Sequence, residues 1–231
     1  MKRSGIGGVL LVVLAGLVVV RPLSAQDLQQ KLAAAKQAAA QNQQALRSYT
    51  WLEKTELSYK GEVKNTKVES CRYGPDGKVQ KTVIEAPPPP EPKRGLRGKV
   101  VEKKTGEMKE ELESASALVH RYVPPDPGLM QVVMGASKAS LAQQGPGAVA
   151  LKFADYLKAG DALTLTFDPA VKAMRQIAVN TYLDDPASPV TLQVQMASLP
   201  DASYPGAVTL AIPASQIEVR ITNTNYQKVA P

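Results

Sequence analysis

His120 is the one histidine in the chain, so a serine triad, a cysteine-histidine pair and a histidine-based zinc site would all have to share a single imidazole. Gly135-Ala136-Ser137-Lys138-Ala139 has the outline of a nucleophile elbow, but that turn needs a preceding strand and a histidine downstream of the serine. His120 lies upstream, and helical spacing precedes Ser137. His120 is therefore expected at a helix C-terminus, where a cationic or hydrogen-bonding side chain is locally favourable. Gly145-Pro146-Gly147-Ala148-Val149-Ala150-Leu151-Lys152 lacks the second glycine and the Lys-Ser/Thr ending with which a P-loop grips phosphate and magnesium. No catalytic residue, metal site or cofactor is expected.

Carboxylate chemistry needs less, because glycosidases work with two acids held about 5 to 10 Å apart. Asp155, Asp161, Asp168, Asp184, Asp185 and Asp201 are the C-terminal candidates. Most lie beside Gly or Pro in segments that read as turns, where Asp is favoured for local hydrogen bonding. Cys71, the single cysteine, alternates with Tyr73 and is expected as a small core residue rather than a reactive thiol. It can form no intramolecular disulfide, and no lipid-attachment cysteine follows the N-terminal apolar run.

A stripe of aromatic and apolar residues, Tyr49, Trp51, Leu57 and Tyr59, falls on one face of a period-two segment. Core packing beneath a helix is its ordinary use. Its sharper use is as the wall of an apolar groove for a lipid or acyl chain, with these four as the ligand-binding candidates. Each buried methylene contributes about 0.8 kcal/mol, so ten give about 8 kcal/mol before association and ordering losses. Such affinity requires no catalytic group.

The start of the chain leads to the expectation that these residues work outside the cytoplasm. Lys2 and Arg3, the apolar run from Gly5 to Val20, and Leu23-Ser24-Ala25 form a secretory signal, with cleavage expected after Ala25 and a periplasmic or secreted product. Removing residues 1–25 from the 231 leaves 206, enough for one domain with a sizeable core. Three of the 28 Lys and Arg residues lie in the leader, leaving 25 against 21 acids. Much of that excess sits in Lys93, Arg94, Arg97, Lys99, Lys103 and Lys104, which could meet anionic lipid head groups in a peripheral membrane contact. Export argues against a nucleic-acid partner.

The elements that must position the stripe follow from periodicity. Residues 27–47 read as a helix, with Asp27 and Gln30 at capping positions. Strands are expected from Tyr49, from Val63 to Tyr73 and from Lys78 to Glu85, joined at Lys60-Gly61-Glu62 and Gly74-Pro75-Asp76-Gly77. Residues 87–99 read as a proline-rich basic linker, mobile and polyproline-like. Residues 106–143 read as a helical insertion of two helices, Gly106 to Tyr122 and Gly128 to Gln143. Period two then returns through Val149–Phe153, Leu163–Phe167, Ile177–Leu183, Val190–Met196, Val208–Ile212 and Ile217–Ile221. The fold class expected over 26–231 is α+β, mainly β: a strongly curved antiparallel meander sheet, a half-barrel, with an N-terminal helix and a central helical insertion.

Ser48-Tyr49-Thr50-Trp51, Tyr73-Gly74-Pro75-Asp76-Gly77-Lys78, Thr166-Phe167-Asp168-Pro169 and the final Asn223-Thr224-Asn225-Tyr226, with this element order, resemble the bacterial periplasmic lipoprotein-carrier superfamily, the outer-membrane lipoprotein-sorting half-barrels. The resemblance implies an incomplete barrel closed by helices over a cavity that holds acyl chains. The chain departs from that group in its two Phe and one Trp, in its proline bridge and in lacking a match to the cavity-gating arginine, so no site residue is carried over by family position. The function expected is that of an exported, non-enzymatic binding or carrier protein for lipid or acyl chains. The alternatives are an envelope scaffold that holds a protein partner by a sheet edge or the basic loop, and a carboxylate hydrolase.

Overall fold

The computed structural model describes residues 37–38, 40–86, 96–145, 147–170 and 173–229. The leader over 1–25, most of the helix expected over 27–47 and the proline run at 87–95 lie outside those residues. Residues 40–46 are helical (α1). Ten strands follow: β1 Tyr49–Tyr59, β2 Glu62–Tyr73, β3 Val79–Glu85, β4 Ala139–Gln143, β5 Val149–Ala154, β6 Ala162–Asp168, β7 Ala173–Tyr182, β8 Pro189–Ser198, β9 Ser203–Ile212 and β10 Ile217–Lys228. Two helices, α2 Leu96–Val119 and α3 Pro127–Gly135, stand between β3 and β4.

All ten strands form one open sheet in the order β3-β2-β1-β10-β9-β8-β7-β6-β5-β4. Every ladder is antiparallel, including the β1–β10 pairing that joins the N-terminal meander to the C-terminal one. β3 and β4 are the two opposite edges, so the chain between them has to cross the sheet. α2 and α3 make that crossing on the concave face, which is how the helical insertion becomes the lid. The α+β half-barrel expected from the sequence is the fold observed.

Tight hairpins and bulges set the curvature. Lys60 and Gly61 both take positive φ (55° and 77°), the two-residue turn whose twist suits flanking strands. The register slips between Thr50 and Leu52, where two β10 residues, Tyr226 and Asn225, stand against the single Trp51 of β1. Asn225, at φ 54°, lies in that bulge, and Asn tolerates this conformation well. Further slips occur between β1 and β2, β2 and β3, β6 and β7, and β8 and β9, and each adds local bend and twist.

Register divides the sheet into an apolar concave face and a polar convex one. One concave row runs Leu192, Leu210, Val219, Leu57; the adjacent convex row runs Gln193, Thr209, Arg220, Glu56. The main core lies where the helices cover the C-terminal strands. Ala115, Val119, Tyr122 and Val133 pack there against Phe153, Leu163, Val179, Leu192 and Ile212.

The insertion differs from the boundaries expected. α2 begins at Leu96, inside the segment read as a linker, and runs through Gly106. A helical glycine costs only about 1 kcal/mol relative to Ala, and Met108, Leu112, Ala115 and Val119 anchor the remainder on the sheet. The second helix stops at Gly135 rather than Gln143. Asp126 caps its start by accepting from the Leu129 amide at 2.9 Å. Ser137 (φ 58°) closes its end, with Ser137 N–H bound to Met134 O and Lys138 N–H to Val133 O. Ala139 to Gln143, which read as helix formers, become β4 because β5 offers an unpaired edge at that point.

Candidate ligand-binding groove

β1 carries the predicted stripe, and the structure divides it. Tyr49 and Trp51, both 6% exposed, lie at one end of the concave face. Trp51 stacks on Tyr226 at 5.4 Å with the planes 3° apart and meets Tyr73 at 5.5 Å, while Tyr204 and Tyr226 approach to 4.0 Å. The buried Leu46 of α1 belongs to the same end of the protein, where the Asn42 side chain bonds the Ser203 backbone in both directions. Leu57 and Tyr59 lie toward the other end, half-buried at the margin of the main core. The four candidates therefore do not form one surface.

A belt of charge separates the two ends. Glu53 is in phase with Tyr49 and Trp51 and pairs across the strands with Glu69 on one side and Asn223 on the other. Both carboxylates are buried. Lys81 neutralises Glu53 at 2.5 Å and Lys67 neutralises Glu69 at 2.9 Å, each ammonium reaching in from a more exposed stem. Burial first, and the Glu53 charge second, push the neighbouring Cys71 thiol up from its ordinary value. That environment keeps the thiol protonated and unreactive. Glu53 was missed in the sequence because a charge at an inward position looks like an interruption of the stripe; its phase was the available signal.

The Tyr59 end holds a cavity of about 500 Å³ between α2 and the β9–β10 connection. Tyr59, Met108 and Ile217 supply apolar wall, and Lys60, Lys104 and Glu111 supply its polar margin. The half-buried Leu57, Leu112 and Val219 belong to the adjoining concave surface. Lys104, Met108 and Glu111 recur at helical spacing, which is the sequence signal for this wall. A single turn of 3-10 helix, Pro213–Ser215, ends in Gln216 at φ 54° and forms the floor.

The residues considered for catalysis are dispersed. Asp161 is buried and accepts from the backbone N–H groups of Tyr156, Leu157 and Lys158 and from the Tyr122 hydroxyl, so its charge holds the β5–β6 loop. Burial, together with the bond to Asp161, pushes the Tyr122 phenol far above its ordinary value. Asp155 accepts from Gly160 N–H and pairs with Lys138 at 3.0 Å; Asp168 pairs with Arg175 at 2.6 Å. Asp185 accepts from Ala187 N–H, Asp201 binds Tyr49 and Lys228, and Asp184 is exposed. His120 is exposed just past α2, and Ser137 is exposed in the turn after α3. Among the described residues no three His, Cys, Asp or Glu side chains cluster to hold a metal ion. No described helix is long and apolar enough to cross a membrane.

An open ten-stranded meander, lidded by helices on its concave face, is thus the class of architecture. No family model matches the chain, and no curated protein matches it. Among solved structures it is similar to a DUF1329 family protein from Desulfovibrio piger, with 8% identity, a TM-score of 0.37, and coverage of 85% of this chain and 92% of that one. A likeness that loose assigns neither family nor function.

Proposed function

We propose that this is an exported, periplasmic or secreted binding or carrier protein that holds a lipid or acyl chain along its concave face. The observation that carries this reading is the cavity of about 500 Å³ walled by Tyr59, Met108 and Ile217 and continuous in chemistry with half-buried Leu57, Leu112 and Val219. That volume lies in the usual range for small-ligand sites, about 300 to 1,000 Å³. Half-buried apolar residues at the margin of a filled core leave surface that an acyl chain removes from water. Apolar burial is sufficient to supply affinity for the chain. Tyr59 and Leu57 remain ligand candidates in this reading, while Tyr49 and Trp51 hold the closed end.

Titration with a single-chain C16 probe carrying a fluorophore tests it. Saturable binding by the wild type, weakened at least tenfold by Met108→Glu with unchanged circular dichroism, is the expected result. No saturable binding by the wild type, or no change in Met108→Glu, sinks the reading. A second reading, partner binding by strand addition, draws on the terminal strand β3, whose residues are all exposed and include Val83 and Ile84 at 53% and 60%. In-cell crosslinking to one stable protein partner, abolished by Val83→Lys, would favour it.

A further inference from the structure

We infer that the cavity takes an amphiphile with an anionic head group; this rests on the acyl-chain reading and adds the charge of the ligand. The apolar wall lies against a rim carrying two ammonium groups, Lys60 and Lys104. Neither has a carboxylate partner among the described residues. Lys60 is fixed by its left-handed turn, with its N–H bound to Gln216 O at 2.8 Å. Its ammonium lies 5.3 Å from the centre of the Tyr59 ring, so charge and apolar wall meet in one place. Lys104 faces the same space from α2.

Two acids share this lining, and each has a contact of its own. Glu107 pairs with Lys103 at 3.8 Å, and Glu111 accepts from the Ser215 hydroxyl at 2.5 Å. With Glu107 answered by Lys103, the lining sets two ammonium groups, Lys60 and Lys104, against the single charge of Glu111, which leaves one cation unanswered beside an apolar hollow. A carboxylate or phosphate on a single acyl chain answers it, with the chain against Met108 and Ile217 and the head at Lys60 and Lys104. Charge-assisted hydrogen bonds from lysine to such oxygens are stronger than neutral ones. At a partly exposed rim they are screened by salt.

The test compares two C16 probes that differ in one group, lysophosphatidate and monoacylglycerol, both below their aggregation concentrations. Wild type is expected to bind the phosphate probe about tenfold tighter at low ionic strength, an advantage that 0.5 M salt reduces. The double variant Lys60→Gln/Lys104→Gln should bind the two probes equally, and an unchanged circular dichroism spectrum shows that it is folded. Equal affinities in the wild type, or a phosphate preference that survives the double substitution, overturns the inference while leaving the acyl-chain reading intact. Failure to bind either probe removes both.

Discussion

Trp51 lies flat on Tyr226, ring centroids 5.4 Å apart and planes 3° from parallel, across the one ladder that joins the two meanders. The bulge at Asn225 adds the β10 residue that shifts the register beside this pair. Trp51→Ala should cost about 3 to 5 kcal/mol, the usual range for a large buried aromatic. Tyr226→Leu should cost less, and in a double-mutant cycle the pair should show about 0.5 to 1.5 kcal/mol of coupling from ring geometry. Urea unfolding of the three variants measures this. Strict additivity would mean that the stack is packing without pair-specific energy.

The sheet was legible because most strands are solvated on one side, so burial writes itself as alternation. Ile177 and Val179, or Leu192 and Val194, sit two apart with polar or small residues between them. β4 was not legible, since Ala-Ser-Leu-Ala-Gln carries no alternation and owes its strand conformation to β5 alone. The early start of α2 was hidden by Gly98 and Gly106, which read as breakers but cost only about 1 kcal/mol each inside a longer helix. At the site, the period showed which residues face inward. It could not show that Glu53 and Glu69, strands apart in sequence and opposite in register, split that face in two.

Tyr122 is fully buried, and its hydroxyl bridges Asp161 at 2.5 Å and Thr181 at 2.8 Å. It ties the α2–α3 connection to the β5–β6 loop and to β7. Tyr122→Phe keeps the ring and leaves the carboxylate short of one donor, so it should destabilise by about 1 to 3 kcal/mol. Hydrogen exchange at Leu157 and Lys158, whose amides bind the same carboxylate, should accelerate in the variant. Unchanged stability and exchange would show that the three backbone donors suffice without the phenol.

Gly106 interrupts the exposed face of α2, and a Cβ built there meets nothing within 4 Å. Its φ is not in the left-handed region, so alanine fits without strain. Gly106→Ala should stabilise the protein by about 0.5 to 1 kcal/mol through the lost freedom of the unfolded chain. A thermal midpoint that stays put or falls would mean that α2 does not persist through residue 106 in solution.

Asp201 fixes the pH response at the aromatic end. The hydrogen bond from Lys228 first, and that from the Tyr49 hydroxyl second, hold its carboxyl below the usual carboxylate range. A folded-state value depressed below the unfolded one, about 3.9 for Asp, contributes stability that is complete above about pH 4 and is lost as pH falls through the folded value. Asn at this position keeps an acceptor for Tyr49 but gives up the charge facing Lys228. Asp201→Asn should therefore lower the denaturant midpoint at pH 6 and lower it less at pH 3, below the unfolded carboxyl's value, where protonation of the unfolded chain already erodes the contribution. An equal deficit at both pH values would place the effect of the substitution in packing against Tyr49 rather than in the ion pair.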